Sequence, residues 1–464
     1  MVSYQAHNLG KKVRFFFLQM YFNFFLLFLL IITYLLIMYI VSNIKINLSL
    51  SLVLLLSIFL MVNSKTNFVD LSNYKIYFIV LIIICYLPIV ILNIKESPDK
   101  EALMTMVLLG SILIIMSNNL IITYLSLELQ TFSLFILISS NRQSIKSNEG
   151  GLKYFILGAI SSGLFLISLS VIYSITGGIT VDCLNSLNNF GYNFIWKYTI
   201  LLSMFFKLSL FPLHFWIPDI YEASTNDIMA LVGTLPKISI IGFVIQLNLF
   251  PNFIIWCTIG SIVVGTLGAI NQSKLKRLLA YSGISHIGLG LLTLSMFIRT
   301  GVEPTIVYIT IYVIGFLSII LLLSIYQSKS LVYIYDLSGI SKLSIILSLT
   351  CSLLLLSMGG LPPLSGFLIK WWIIWSMMIN EYILVGFICI LFSATGLIYY
   401  LRVTKICYFQ KSSSYLVWEN LFKCNKYETL TDVYLGVGLF LSCFLIFNPK
   451  LIISLTDLNL ISFF

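Results

Sequence analysis

Five charged side chains lie within apolar stretches of a chain that is otherwise poor in charge. They are one carboxylate and four amines: Glu128, Lys153, Lys207, Lys237 and Lys370. A charge at the centre of a bilayer costs about 2.5 to 3.5 kcal/mol on insertion scales, so residues of this kind commonly mark an ion pathway. Burial disfavours a charged amine, whereas a nearby carboxylate favours it, so an amine in this setting can be loaded with a proton and unloaded. The chemistry they indicate is reversible proton binding.

Each lysine also has a purely structural interpretation. Its amine can extend to the membrane interface or close an ion pair that has no part in transport. For Lys153, close to the start of its apolar stretch, the two interpretations are equally good. Lys207, Lys237 and Lys370 lie deeper, and their positions favour a functional role.

Histidine supplies one further candidate. His286, in the sequence SGISHIGLG, could extend a proton pathway, because an unperturbed imidazole has a pKa of about 6.5. It could equally be a hydrogen-bonded packing residue, and His214 has the same two interpretations. Asp219 and Glu222 could serve proton entry or could solvate the end of a helix, and the sequence leaves both open.

Prolines accompany the three deeper lysines. A proline removes a backbone donor and can open a helix, and broken helices in membranes commonly mark transport sites. The alternative is that these prolines only bend helices for packing. The three groups are FFKLSLFPLHFW (205–216), VGTLPKISIIGF (232–243) and SMGGLPPLSGFLIKWWII (357–374).

The elements that must position these residues are membrane helices. Hydrophobic residues make up 59% of the chain, charged residues 9%, and the mean hydropathy is +1.03, while about 20 residues suffice for a helix to cross a bilayer. The sequence predicts an all-α polytopic membrane protein, 1–464, with about fourteen transmembrane helices and no soluble domain. The stretches are 15–41, 48–62, 75–93, 101–118, 120–140, 151–176, 196–216, 228–249, 252–270, 277–297, 303–327, 343–366, 380–401 and 431–454.

The remaining composition argues against cofactors and nucleic acid. The eight cysteines show no C-x-x-C spacing and the three histidines are scattered, so we expect no cofactor and no metal in this chain. The net charge of +10 comes from lysines and arginines, and those in loops are in excess on one side of the membrane. In this topology the N-terminus and Lys75 lie outside. That asymmetry is typical of membrane topology rather than of nucleic-acid binding.

Five motifs together resemble a known family. In chain order they are LSLELQTFSLFIL, GLKYFILGAISSG, FFKLSLFPLHFWIPDIYEA, LKRLLAYSGISHIGLGLL and LSMGGLPPLSGFLIKWW. They are similar to the antiporter-like proton-pumping subunits of respiratory complex I. The resemblance implies inverted repeats of helices 4–8 (about 101–249) and 9–13 (about 252–405), with helices 7 and 12 broken. It also implies a Glu128–Lys207 pair on helices 5 and 7, Lys237 at the centre of helix 8 and Lys370 as the terminal lysine of helix 12.

The resemblance implies a function as well. The chain would be a proton-translocating subunit of NADH:ubiquinone oxidoreductase, with no redox site of its own and with redox chemistry elsewhere driving the proton relay. Its partners would be other membrane-arm subunits, including further antiporter-like ones, and lipids, in the mitochondrial inner membrane or alternatively a bacterial plasma membrane. The length of 464 residues and a lysine at 370 distinguish it from longer or glutamate-bearing sister subunits. The N-terminal extension and 411–430 could contact accessory subunits. The alternative is a subunit of a multi-subunit cation/proton antiporter, which shares the charged motifs.

Overall fold

The computed structural model describes residues 73–92, 98–181, 183–184, 195–247, 252–295, 298–325, 333–338, 345–410 and 429–444. The predicted helices at 15–41 and 48–62, and residues 411–428 of the polar insert, lie outside this part of the chain. The helices are α1 (Asn73–Leu92), α2 (Pro98–Met116), α3 (Leu120–Ile138), α4 (Ile145–Thr176), α5 (Ile195–Leu208), α6 (Trp216–Ala223), α7 (Asn226–Leu247), α8 (Asn252–Ile270), α9 (Leu275–Leu294), α10 (Ile298–Ile325), α11 (Ile345–Gly359), α12 (Ser365–Ile379), α13 (Ile383–Phe409) and α14 (Thr429–Phe444).

The apolar stretches of the sequence form these helices. Within the described residues, six helices are long and apolar enough to cross a membrane, which makes the chain a multi-pass membrane protein. The predicted boundaries agree to within a few residues for most elements. The stretch predicted as 343–366 is different, because it contains the end of one helix and the start of another. Residues 367–379 are helical although they lie between two of the predicted apolar stretches, and the prolines at 362 and 363 separate two half-length helices here, in agreement with the broken helix that the resemblance implies.

Two helices are interrupted near lysines and prolines that lie close together in the sequence. The first interruption lies between α5 and α6, and the second between α11 and α12. In both, the first residue after the helix has a left-handed backbone, with φ of 60° at Ser209 and 84° at Gly360. Pro236 behaves differently, because α7 continues through it. Two of the three proline groups therefore break a helix, and the third does not.

Helices α7, α9 and α10 form the interior. The apolar span of α7 is completely buried, and α7 packs against α1, α2 and α10. Helix α9 packs against α6, α8 and α10. The spans of α4 and α13 are only 33% and 28% buried, so most of their apolar surface faces outward, as expected for contact with lipid or with other membrane proteins. Polar groups on α7 and α9 are consequently held inside the protein.

Candidate functional site

Lys237 occupies the centre of the interior, on α7, with only 2% of its surface exposed. Its Nζ lies 3.4 Å from the hydroxyl of Tyr221. The amine is 5.8 Å from the ring centroids of Tyr221 and Tyr312 and 6.0 Å from that of Phe316. No carboxylate of the described residues forms a salt bridge with it. The positive form of this lysine is therefore stabilised by aromatic rings and a hydroxyl rather than by an acid.

Two glycines make room for this aromatic cage, which consists of Tyr221, Tyr312 and Phe316. A Cβ added at Gly233, one helical turn before the lysine, would collide with the Phe316 ring and lie 2.8 Å from the Tyr221 hydroxyl. A Cβ added at Gly283 on α9 would lie 2.9 Å from the Tyr312 hydroxyl. The absence of side chains at both positions lets the rings approach the amine from two sides.

His286 lies on α9, beside the cage, and both of its ring nitrogens are hydrogen-bonded. Nδ1 is 2.6 Å from the hydroxyl of Tyr308, and Nε2 is 3.1 Å from the hydroxyl of Tyr400. The imidazole also stacks on Tyr312, with ring centroids 5.1 Å apart. A neutral imidazole donates from one nitrogen and accepts at the other, whereas a protonated one donates from both. Since a phenol hydroxyl can donate or accept, His286 can change protonation without losing either partner.

Lys370 lies on α12, at the second interruption. Its Nζ donates a 2.6 Å hydrogen bond to the carbonyl oxygen of Gly359, the last residue of α11. It lines one cavity together with His286, Tyr308 and Tyr312. Helix α11 ends there, and the carbonyls at a helix C-terminus favour a positive charge. Lys237, His286 and Lys370 thus form a central file, bridged by tyrosine side chains and a cavity.

Lys207 and Glu128 lie on α5 and α3, which do not contribute to the central file. Lys207, near the end of α5, is 7% exposed, and its Nζ has no hydrogen-bond partner within the described part of the chain. Glu128, on α3, is partly buried and accepts a 3.2 Å hydrogen bond from Thr131 Oγ1. It faces a cleft between α3 and α4 that Tyr154 also lines. The two charges act on each other electrostatically but do not form a salt bridge. The pair predicted from the resemblance is therefore not a direct contact here, and α4 packs against both helices.

Lys153 belongs to a different environment. Its amine lies 2.7 Å from Glu149 Oε1 and 2.7 Å from Asp219 Oδ2, and its side chain is 41% exposed. Arg277 on α9 joins the same group through Asp219 Oδ1 at 2.9 Å and Glu222 Oε2 at 2.6 Å. Lys153 is thus part of a charged network at the ends of α4, α6 and α9, apart from the buried lysines.

Glu222 is the best-connected acid of that network. Its Oε1 lies 2.6 Å from the amine of Lys274 and 2.8 Å from that of Lys146, in addition to its contact with Arg277. Partial burial raises the pKa of Glu222, but the hydrogen bonds from Lys146 and Lys274 and the charge of Arg277 outweigh it and lower the pKa to about 2. Glu222 is therefore ionised at neutral pH, and its ion pairs tie α6 to α4 and α9.

Sequence reasoning missed several polar residues of the interior. The tyrosines at 308, 312 and 400 are hydrogen-bonded to or stacked on His286, and only the one-turn spacing of Tyr308 and Tyr312 signals that they share a helix face. The topology predicts Lys75 at the outer surface, but it lies in the first turn of α1, is 3% exposed and donates a 2.7 Å hydrogen bond to Asn118. Asn118 also accepts from Gln246 at 2.8 Å, so this lysine is buried in a polar cluster at one end of α7.

The fold and the buried lysines are those of a class of membrane transport protein. Comparison with protein families identifies the family. Residues 117–397 match the family described as NADH:quinone oxidoreductase/Mrp antiporter, TM. The chain belongs to this family. Glu128, Lys207, Lys237, His286 and Lys370 all fall within the matched residues.

Individual relatives identify the similar proteins more narrowly than the family does. The chain is 37% identical over 365 residues to NADH-ubiquinone oxidoreductase chain 2 of Metridium senile, a match that covers 76% of this chain and 94% of the relative. Among solved structures, a chain of respiratory complex I from Thermus thermophilus with bound aureothin is similar with a TM-score of 0.77, at 22% identity, covering 91% of this chain and 96% of that one. A chain of the Mrp complex from Dietzia sp. DQ12-45-1b has a TM-score of 0.78 at 16% identity, with 92% and 94% covered. The two structural matches show the shared fold.

Proposed function

We propose that this chain is a proton-translocating subunit of the membrane arm of an NADH:quinone oxidoreductase, equivalent to chain 2 of that complex. The identity to the Metridium senile relative, over nearly the whole of that relative, is the main support. Lys370 agrees with the proposal, because it separates this chain from glutamate-bearing sister subunits. The enzyme activity belongs to the assembled complex, and the chain contributes the proton path.

The central file supplies the groups that such a path needs. Lys237 can hold a proton within the aromatic cage, and His286 can accept or donate at either nitrogen through Tyr308 and Tyr400. Lys370 reaches the same cavity as His286. Because the charges of Lys237 and Lys370 both act on His286, a proton on either lysine disfavours a charge on the imidazole, which lets a proton arriving at a lysine promote release from the histidine.

Lys207 and Glu128 form the second part of the proposed relay. The unpartnered amine of Lys207 and the cleft-facing carboxylate of Glu128 interact across a distance longer than a salt bridge. A small movement of α3 or α5 would therefore strengthen or weaken the coupling and change which form of the lysine is favoured. Lys153, which is held by Glu149 and Asp219, is proposed as an entry group at the surface end of this path.

The finer architecture and setting are part of the proposal. Fourteen transmembrane helices with inverted repeats at about 101–249 and 252–405 are supported by the two helix interruptions, each of which begins with a left-handed residue. Redox cofactors belong to partner subunits, and this chain holds none. Its neighbours are further membrane-arm subunits, antiporter-like ones included, and lipids. The chain has only eight alanines against 35 phenylalanines, a composition that agrees with an organelle gene and hence with the mitochondrial inner membrane, whereas a bacterial plasma membrane is the alternative.

A subunit of a multi-subunit cation/proton antiporter is the second candidate function. It is favoured by the family description, which includes Mrp antiporters, and by the similarity in fold to the Dietzia Mrp chain. The two functions differ in the subunits that assemble with the chain and in the energy source that drives proton movement.

Purification of the chain in its native assembly separates these functions. An epitope tag on the chain is used to isolate the complex in mild detergent, followed by measurement of flavin, iron–sulfur centres and NADH:quinone activity. Reconstitution into liposomes then tests whether NADH oxidation acidifies one side. We expect flavin, quinone reduction and NADH-driven proton transport. Isolation with cation-transport subunits alone, and proton movement driven only by a sodium gradient, would establish the antiporter instead.

A further inference from the structure

Gly360 lies directly against the side chain of Lys370. It is the first residue after α11, and its φ of 84° is in the left-handed region. A Cβ added there would lie 2.8 Å from Cδ, 3.2 Å from Cε and 3.0 Å from Nζ of Lys370. The contact with Cδ is shorter than carbon atoms tolerate and the other two are tight, so a side chain at 360 requires the lysine to move from its present position.

The glycine leaves room for one particular position of the Lys370 side chain. In it, the Lys370 amine reaches the Gly359 carbonyl at 2.6 Å, at the C-terminal end of α11, where the helix dipole favours a cation. The same position brings the lysine to the cavity that His286 lines. The three atoms nearest to the methyl group of an alanine at 360 would all belong to the lysine side chain. Since a lysine chain is flexible, the lysine rather than the backbone would move.

We infer that Gly360 is a positioning residue for Lys370: its missing side chain holds the amine on the Gly359 carbonyl and at the cavity shared with His286. The inference rests on the proposed function, because it concerns how the terminal lysine of the relay is held. Gly360 itself exchanges no proton and acts only through Lys370.

A simpler explanation is that position 360 requires glycine only for its backbone conformation. The chain contains a matched control for that explanation in Gly177, which ends α4. Its φ is 66°, and its N–H bonds to the carbonyl of Tyr173 at 2.9 Å, as the N–H of Gly360 bonds to that of Leu356 at 3.0 Å. A Cβ added at Gly177 has no neighbour within 4 Å. Alanine therefore imposes the same backbone strain at both positions, but a side-chain collision at 360 alone.

The test uses four variants of the chain in the intact complex: Gly360→Ala, Gly177→Ala, Lys370→Met, and Gly360→Ala combined with Lys370→Met. Proton transport and NADH oxidation are measured in proteoliposomes per flavin, so that assembly and turnover are separated. Losing a hydrogen bond to a charged group corresponds to an effect of about tenfold or more. We expect Gly360→Ala to lower proton transport by about that factor, Gly177→Ala to leave it unchanged, and the double variant to match Lys370→Met.

Two results would overturn the inference. One is equal transport in Gly360→Ala and Gly177→Ala, which would leave glycine a backbone requirement. The other is a further loss when Gly360→Ala is added to Lys370→Met, which would mean that the glycine acts independently of the lysine. Normal transport in Lys370→Met would instead refute the role of Lys370 in the proposed function. If Gly360→Ala does not assemble, Gly360→Asn and Gly177→Asn replace the alanine pair, because asparagine adopts the left-handed conformation more readily and still adds a Cβ.

Discussion

Replacing Glu222 with glutamine tests whether the surface network fixes the second half of the first broken helix. The carboxylate lies within 2.8 Å of Lys146, Lys274 and Arg277, and its side chain is only 12% exposed. Glutamine keeps the size of the side chain but removes the charge that these three cations share. We expect α6 to be held less firmly against α4 and α9, and the chain to be less stable within its complex.

The size of the effect follows from the carboxylate's proton equilibrium. Its pKa is lowered from 4.5 to about 2, and one pKa unit corresponds to about 1.36 kcal/mol, which sets an upper limit of roughly 3 kcal/mol. Screening near the membrane surface reduces the value, and we expect about 1 to 2 kcal/mol. Because the folded-state pKa is depressed, this stabilisation is present above pH 4.5 and is lost as the pH falls toward 2.

Thermal dissociation of the purified complex, followed by native gel electrophoresis at pH 7 and at pH 4, measures this contribution. Glu149→Gln is the matched control, because Glu149 is 59% exposed and contacts Lys153, which keeps Asp219 as a second partner. We expect Glu222→Gln to lower the dissociation temperature clearly at pH 7, with a smaller difference from the unmodified complex at pH 4. If the two variants behave alike at pH 7, Glu222 contributes no more than an ordinary surface charge and the reasoning is wrong.

Three further predictions concern the membrane interior. Lys237→Arg keeps the charge, but a guanidinium has a pKa above 12 and retains its proton, so proton transport per assembled complex should fall; full transport would mean that only a positive charge is required. Glu128→Gln should leave assembly intact and reduce transport, whereas normal transport would show that another group loads Lys207. Phe316→Leu removes one ring of the aromatic cage, and its contact with the amine is worth about 1 to 2 kcal/mol when desolvated. The control is Phe243→Leu, because Phe243 is also buried and lies on α7. We expect about tenfold less transport in Phe316→Leu than in this control. Equal transport in the two phenylalanine variants would refute a role for the cage.

The sequence predicted those features that depend on neighbouring residues along the chain. The apolar stretches predicted most helices, and the proline groups at 212 and at 362–363 correctly indicated two broken helices. The insertion cost of a charge singled out Lys237, which is buried at the centre of the interior. Each of these inferences needs only local composition and the physics of the bilayer.

Features that depend on how distant helices pack could not be predicted in this way. Tyr308 and Tyr400 come from α10 and α13 and meet only because both helices pack near His286. A tyrosine in an apolar helix gives no sign of whether its hydroxyl is a hydrogen-bond partner or its ring is packing material. The resemblance implies a Glu128–Lys207 pair, but only the packing of α3 and α5 decides that the two groups lie beyond salt-bridge distance. Distances of this kind are set by tertiary structure.

The aromatic cage around Lys237 also bears on ion selectivity. Sodium and other alkali cations are held by several oxygen ligands at short range, typically carboxylates and carbonyls, whereas an ammonium group can be stabilised by the faces of aromatic rings. The described surroundings of the Lys237 amine offer one hydroxyl oxygen, three ring faces and no salt-bridging carboxylate. Such surroundings stabilise a covalently attached ammonium, and the described residues offer few ligands for a dehydrated sodium ion. In the proposed function, the cage around Lys237 would then favour protons over sodium ions.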